Sequence, residues 1–345
     1  MEEKKGSSRI QSDQANPSRR KSARLHLFRR LLATRRKEPK LLGIRQSAKK
    51  LNISRLKEDS SDPLDFKLQD VLPESTHPKL FGYYSASGID YALRELGIYR
   101  KVDQQGFTGY KVTVTGDAWC QTLDIKGQAK GKTFLLAEGR FRKHLWTLPE
   151  NTLLKIESSH KQYSMITIEW FLLQNPLAEF SPHRPQLPGQ KHPGLGILEE
   201  VMEVFYAVAR QIKLDGYIGH PNLFYNAHVY SPEFFFADPK RQAELLAINW
   251  AGQGHTLQDM TLAVEGQFLY AEGRDEAYEW TGAPMVRPLS RRLHRAYGQS
   301  NYRQVVEDMS EKTFFRFHWE AFQAQRDVLI EQLLDETGQQ DRDNS

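Results

Sequence analysis

The chain has 345 residues, of which 39% are hydrophobic, 26% charged and 11% aromatic. These proportions are typical of a folded globular protein and exclude a collagenous, coiled-coil or wholly disordered chain. The formal net charge of +5 conceals an asymmetry, because residues 1–57 carry 18 Lys and Arg against 4 Asp and Glu. The rest of the chain holds 30 basic and 39 acidic side chains. The basic average therefore does not identify the whole protein as a nucleic-acid binder.

Cysteine content and apolar runs bear on the compartment. Cys120 is the only cysteine, so no disulfide can form within the chain, and we expect a buried, unreactive thiol in a reducing environment. No apolar run approaches the roughly 20 residues that cross a bilayer. The N-terminus also lacks the apolar segment of a secretory signal. We therefore expect a cytoplasmic protein.

Residues 1–76 are predicted to form a basic disordered arm followed by an acidic, proline-containing linker. Residues 1–24 have almost no apolar side chains and cannot bury a core. A short basic amphipathic helix is predicted at residues 25–32, where four apolar side chains share one face: Leu25, Phe28, Leu31 and Leu32. The segment 19–57 is suited to an anionic partner, either nucleic acid or a membrane surface. Its composition is also compatible with a solvated tail whose helix docks on the acidic body of the same chain.

Residues 77–250 are predicted to form an α/β (α+β) domain with a mixed, partly antiparallel sheet and flanking helices. Period-two runs at residues 110–115 and 133–138 predict antiparallel strands. The strongly apolar run 163–174 predicts a central strand with both faces covered. A Pro/Gly-rich loop, an amphipathic helix at 197–210 and a short strand at 214–219 follow it, which is the order of an α/β unit.

Residues 251–334 are predicted to form a helical C-terminal extension. Helical segments are expected at 257–268, 289–297 and 314–334. The extension would cap the α/β core or form a dimer surface. The polar residues 335–345 are expected to be a disordered tail.

The sequence Gly194-Leu195-Gly196 directly precedes the helix predicted at 197–210. Glycines at this position let backbone N–H groups approach an anion at the positive end of the helix dipole. The loop lacks the third glycine of the dinucleotide fingerprint and the Lys-Ser/Thr of a P-loop, and a plain loop-to-helix turn is equally consistent with it. Glu199 and Glu200 in the first turn would interact favourably with the helix dipole but would repel a pyrophosphate.

The segment 163–236 resembles the cofactor-binding half of the GNAT acetyltransferase superfamily. Lys191-His-Pro-Gly194-Leu-Gly196 is similar to that family's pyrophosphate loop. Residues 222–235, with Asn226, Tyr230 and two phenylalanines, are similar to the segment that follows the next strand in the family. The wider region 80–290 also resembles a bacterial group described as acetyltransferase-like.

The resemblance implies a GNAT-like fold that binds acetyl-CoA or another acyl-CoA. It implies the following residues as the cofactor site: Lys191, Gly194, Leu195, Gly196, Ile197 and Asn226. Tyr230 would then be the general acid that protonates the departing thiolate, and Glu169 on the central strand the base that accepts the amine proton.

Three hypotheses of function follow. The first is an acyl-CoA-dependent N-acyltransferase, an enzyme acting on a small-molecule or protein amine. The second is a non-catalytic GNAT-like regulatory or interaction protein. The third is a protein that associates with nucleic acid or a membrane surface through its basic arm. No metal is expected, because His220 and His228 lack a metal-ligand spacing and there is no second cysteine.

Overall fold

The structure is a computed structural model that describes residues 53–57, 78–148, 162–297 and 299–342. The predicted amphipathic helix at 25–32, and with it most of the predicted arm and linker, lies outside these residues. Among the described residues, no helix has both the length and the apolar content needed to span a membrane.

The described residues form a mixed α/β fold whose main element is a seven-stranded sheet of order β1-β2-β3-β4-β5-β8-β6. A separate two-stranded sheet pairs β7 with β9. The strands are β1 (Thr108–Gly116), β2 (Cys120–Ala129), β3 (Lys132–Thr147), β4 (Gln162–Leu173), β5 (Gly216–Gly219), β6 (Phe235–Phe236), β7 (Leu269–Ala271), β8 (Met285–Pro288) and β9 (Phe315–Phe317).

Helices flank the main sheet, as the sequence predicts. They are α1 (Ile53–Lys57), α2 (Ala86–Glu95), α3 (Ile98–Asp103), α4 (Leu198–Gln211), α5 (Phe224–Tyr230), α6 (Pro239–Ala251), α7 (Leu257–Glu265), α8 (Arg291–Ala296), α9 (Gln299–Ser310) and α10 (Trp319–Arg342). Strands β1 to β4 form an antiparallel meander, β5 is parallel to β4, and β8 is antiparallel to β5 and β6. The prediction of a mixed, partly antiparallel sheet is confirmed. Helix α4 is the crossover that a parallel β4–β5 pair requires.

The two faces of the sheet are covered by different helices. On one face, Ile166 of β4 and Tyr217 of β5 belong to an apolar cluster with Phe205 of α4. On the other face, Met165 and Ile218 belong to a cluster with side chains of α6, α8 and α9. The amino-terminal half of β4 is therefore buried on both sides, as its continuous apolar run predicts.

Helix α1 shows that the predicted disordered arm contains a folded element. Its Leu56 is only 7% exposed, and the Leu56 carbonyl accepts a hydrogen bond from the N–H of Ser85 at 3.1 Å. Gly88 of α2 permits this contact, because a Cβ there would lie 2.3 Å from the Leu56 carbonyl oxygen. Residues 53–57, within the predicted arm, thus form a helix that one apolar side chain anchors to the body.

The C-terminal region differs from the predicted helical extension at two strands. Met285 and Val286 of β8 are fully buried and pair with β5 and β6, so the main sheet crosses the predicted boundary at residue 250. Residues 315–317 form β9, whereas a helix was expected from 314. The phenylalanines at 315 and 317 flank an arginine, which is the alternation of a strand rather than of a helix.

Two further differences concern the C-terminal tail and the cysteine. Helix α10 continues past Asp335 to Arg342, into the predicted disordered tail, where Glu and Gln favour helix. Cys120 is exposed, contrary to the expected buried thiol. Its neighbour Gln121 is the inward-facing residue at this end of β2, and strand alternation therefore turns Cys120 outward.

Asp215 fixes the start of β5 against its neighbours. This carboxylate is 5% exposed and accepts hydrogen bonds from the N–H of Ser164 at 2.8 Å and from Arg292 Nε at 2.7 Å. Burial alone would raise the pKa of Asp215, but hydrogen bonds from Arg292, Ser290 and Ser164 together lower it below its usual value. The ionised carboxylate thus joins β4, β5 and α8 where the parallel pair begins.

Candidate functional site

The β4–β5 pair comes apart in the middle of β4. Four residue pairs join the strands, from Met165–Gly216 to Ile168–Gly219. β4 then continues from residue 169 to 173, where β3 is its only partner among the described residues. We call the side of residues 169–173 that faces away from β3 the open edge. It is about 13 Å long, from a rise of about 3.3 Å per residue, and it exposes peptide groups to a ligand in the way that an unpaired strand edge does.

The loop 193–197 lies at the far end of the open edge. The N–H of Asn175 donates to the Pro193 carbonyl at 2.7 Å, and a Cβ on Gly194 would lie 3.5 Å from the Leu173 carbonyl. Two more loop carbonyls accept from side chains, Gly194 from Arg184 at 2.6 Å and Leu195 from Gln105 at 3.0 Å. The loop is thus held in place through its carbonyl groups.

The N–H groups of the same loop are not used. Within the described part of the chain, none of the backbone N–H groups of residues 194–200 has a hydrogen-bond acceptor. Helix α4 has no side-chain cap at its first turn. The predicted repulsion from the first-turn carboxylates is reduced, because Glu200 forms an ion pair with Lys101. The loop and helix start together are able to bind an anionic group.

The predicted cofactor residues of this loop differ in what they can contribute. Leu195 and Ile197 have buried side chains in an apolar cluster, so only their backbone can meet an anionic group at the loop. Gly196 has a φ of 70°, the left-handed region that favours glycine. Lys191 is half-buried at the start of the loop.

An open pocket of about 430 Å³ adjoins the loop on the side of Pro193 and Gly194. Arg184 and His183 contribute to its wall. A guanidinium beside unused N–H groups adds positive potential to the place where the sequence predicts phosphate binding.

Glu169 lies at the near end of the open edge, in a β-bulge. In the β3–β4 ladder, Phe141 pairs with Ile168 and Arg140 with Trp170, which leaves Glu169 as the additional residue. A bulge re-aims a side chain and is frequent beside active sites. Arg142 Nε donates to Glu169 Oε1 at 2.5 Å, so the side chain of the predicted base is held by an exposed ion pair.

His220 is a site residue that sequence reasoning missed. It follows directly after Gly219, the last residue of β5, and its charge interacts with those of His144 and Glu169. Partial desolvation of this exposed side chain lowers the pKa of His220, the neighbouring His144 lowers it further, and Glu169 opposes them. The imidazole is therefore neutral near pH 7 and able to accept a proton. Its position at the carboxyl end of a parallel strand was the available signal.

Tyr230 reaches the same end of β5 from helix α5. Its ring carbons lie 3.9 Å from the place of a Cβ on Gly219, whose partner in the ladder is Ile168. Burial raises the pKa of Tyr230, so the phenol stays protonated and can act as a proton donor. Asn226 lies one helical turn earlier in α5, on the same face as Tyr230.

The structure thus groups the predicted residues at two ends of the open edge. Glu169 and Tyr230 lie at the end where β5 stops, and the loop 193–197 lies at the other.

An apolar cavity of about 440 Å³ lies between helices α2, α3 and α4 and the inner face of the sheet. Phe171 and Leu173 of the open edge form part of its wall, as do Leu195 and Ile197 of the loop. The volume is within the range of small-molecule sites, about 300–1,000 Å³.

Comparisons with known proteins add no assignment to this geometry. No protein-family model matches the chain, and no curated protein matches it significantly.

Proposed function

We propose that the protein is an acyl-CoA-dependent N-acyltransferase with a GNAT-like fold. The observation that carries the proposal is the open edge of β4. Unused N–H groups lie at one end of it, and a carboxylate, a neutral imidazole and a protonated phenol lie at the other. An extended donor with an anionic end and a reactive thioester fits this arrangement.

In this proposal the pyrophosphate of the acyl donor binds to the N–H groups of residues 194–200, with Arg184 nearby. The amide-containing arm of the donor then lies along the open edge, where its amides can pair with the free peptide groups of β4. Asn226 contacts this arm from helix α5. The thioester is thereby delivered to the end of the open edge that carries Glu169.

The reaction is a nucleophilic substitution at the thioester carbonyl. The amine nitrogen forms a bond to the carbonyl carbon, the carbon–sulfur bond breaks, and the sulfur leaves as a thiolate. His220, supported by Glu169, accepts the proton that the amine loses, and Tyr230 donates its phenolic proton to the thiolate. The acidic body of the chain favours a cationic amine as the acceptor.

Ligand-induced thermal stabilisation tests the donor site. A ligand present at 100 times its Kd adds about 2.7 kcal/mol to the free energy of unfolding, so 1 mM acetyl-CoA should raise Tm. Gly194→Glu places a carboxylate among the N–H groups and should abolish the shift. Gly194→Ala is the matched control, because its Cβ would make only an ordinary 3.5 Å contact with Leu173. No shift in the wild type, or an equal shift in Gly194→Glu, would refute the proposal.

Acyl transfer to a panel of amines tests the chemical roles. Tyr230→Phe and His220→Gln should each lower kcat about 10²-fold or more, a typical contribution of general acid–base catalysis. Since His220 must be neutral, the rate should decline only below the ordinary histidine pKa of about 6.5. An enzyme that keeps its rate in both variants would exclude these roles. Binding of the donor without any transfer would favour the non-catalytic hypothesis, in which Glu169 serves only in its ion pair with Arg142.

A further inference from the structure

The apolar cavity is larger than a transferred acetyl group needs. A cavity of about 150 Å³ lined by apolar side chains binds one benzene ring, with six carbons. On that scale, 440 Å³ has room for an unbranched chain of roughly 10–16 carbons, since ligands fill most but not all of a site. Three small or branched residues of α4 face this space: Val204, Ala207 and Val208.

The charges on the cavity wall indicate what kind of chain fits. Glu138 and Glu203 are among the wall residues, and Glu138 forms an ion pair with Arg140 at 2.8 Å. The cationic wall residue Arg210 lies at the solvent-exposed end of α4. A free carboxylate inside the cavity would be repelled and desolvated without a cation to meet it. An uncharged hydrocarbon chain would meet a wall that is mainly apolar.

The cavity is also continuous with the proposed donor site. Phe171 and Leu173 belong to the open edge, along which the donor arm would lie, and both contribute side chains to the cavity wall. Leu195 and Ile197 present their side chains to the cavity and their N–H groups to the anion site. One ligand can therefore occupy both places, with its charged end at the loop and its chain beneath α4.

We infer that the apolar cavity binds an unbranched, uncharged hydrocarbon chain of about 10–16 carbons. Under the proposed function, on which this assignment rests, the chain is the acyl group of the donor. The enzyme would then transfer a medium- or long-chain acyl group rather than acetyl. Each methylene buried in the cavity should tighten binding about fourfold.

The test compares acetyl-CoA, decanoyl-CoA and 1-decanol as ligands of the full chain, by calorimetry and thermal shift. Decanoyl-CoA should bind at least 100-fold more tightly than acetyl-CoA. Ala207→Trp and, one turn away, Val204→Phe fill the cavity and should remove this advantage while acetyl-CoA binding stays unchanged. Ala207→Ser is the matched control and should bind like the wild type.

The outcomes separate the inference from the proposed function. Two results would overturn the inference and leave the proposed acyltransferase function intact. One is equal affinity of the wild type for acetyl-CoA and decanoyl-CoA. The other is an undiminished preference for decanoyl-CoA in both filled variants. If 1-decanol stabilises the wild type but not Ala207→Trp, and neither CoA ester binds, the cavity assignment stands and the acyltransferase is refuted.

Discussion

Replacement of Asp215 by alanine should measure how firmly the parallel pair that carries the site is held. The partly buried N–H of Ser164 would lose its acceptor, which costs about 1–3 kcal/mol. The ion pair with Arg292 would also be lost. Because the Arg292 side chain is 51% exposed, solvent screens this interaction, and we assign it about 1 kcal/mol. Asp215→Ala should thus lower the free energy of unfolding by about 3 kcal/mol.

Urea unfolding followed by circular dichroism measures this loss, and Arg292→Met provides the comparison. The Ser164 hydrogen bond survives in Arg292→Met, so that variant should lose only about 1 kcal/mol. The lowered pKa of Asp215 means that its contribution is fully present above the unfolded value of about 3.9. It is lost as the pH falls through the folded value, so the wild type and Asp215→Ala should converge in stability below about pH 4.

The reasoning is refuted if Asp215→Ala costs less than about 1 kcal/mol, or if Arg292→Met costs as much as Asp215→Ala. The first result would mean that Ser164 finds another acceptor. The second would mean that the ion pair rather than the buried hydrogen bond holds the start of β5.

Two further predictions concern the junction between the basic arm and the body. Gly88→Ala should displace α1, because the new Cβ would lie 2.3 Å from the Leu56 carbonyl oxygen. Trypsin should then cleave after Arg55 faster than it does in the wild type. Equal cleavage rates would show that α1 was not displaced. The wild type should bind duplex DNA or vesicles rich in phosphatidylserine, and this binding should weaken as the salt concentration rises. Deletion of residues 1–52 should abolish the binding. The Tm of the deletion variant should stay unchanged because α1 is retained. Undiminished binding after the deletion would show that the arm is not the site that binds an anionic partner.

The sequence was informative where a side-chain pattern extends over several residues. The apolar run of β4 and the spacing of Val201, Phe205 and Val208 predict a central strand and helix α4, and both are present. The short β8 was missed, since a strand of four residues is too short to show a period in its side chains. Its burial depends on pairing with β5, which is distant in the chain.

The candidate site was predictable only in part for a related reason. Glu169, Tyr230 and the loop 193–197 could be named from local resemblance. His220 could be placed at the end of a strand but not assigned its role, because its lowered pKa arises from partial desolvation and from His144 on another strand. The apolar cavity is the space left between helices that come from two distant parts of the chain, and no local pattern records such a space.

Helix α1 packs against the folded body and thereby connects the basic arm to its interior. Leu56 belongs to the cavity wall, while Arg55 and Lys57 beside it lie over the rings of Tyr91 and Tyr83. Burial of one leucine and one backbone hydrogen bond hold α1 with on the order of 3 kcal/mol. Any partner that pulls on the arm therefore works against the same few contacts that close the cavity. By reciprocity, an occupant that packs against Leu56 must strengthen the hold on the arm by an equal free energy.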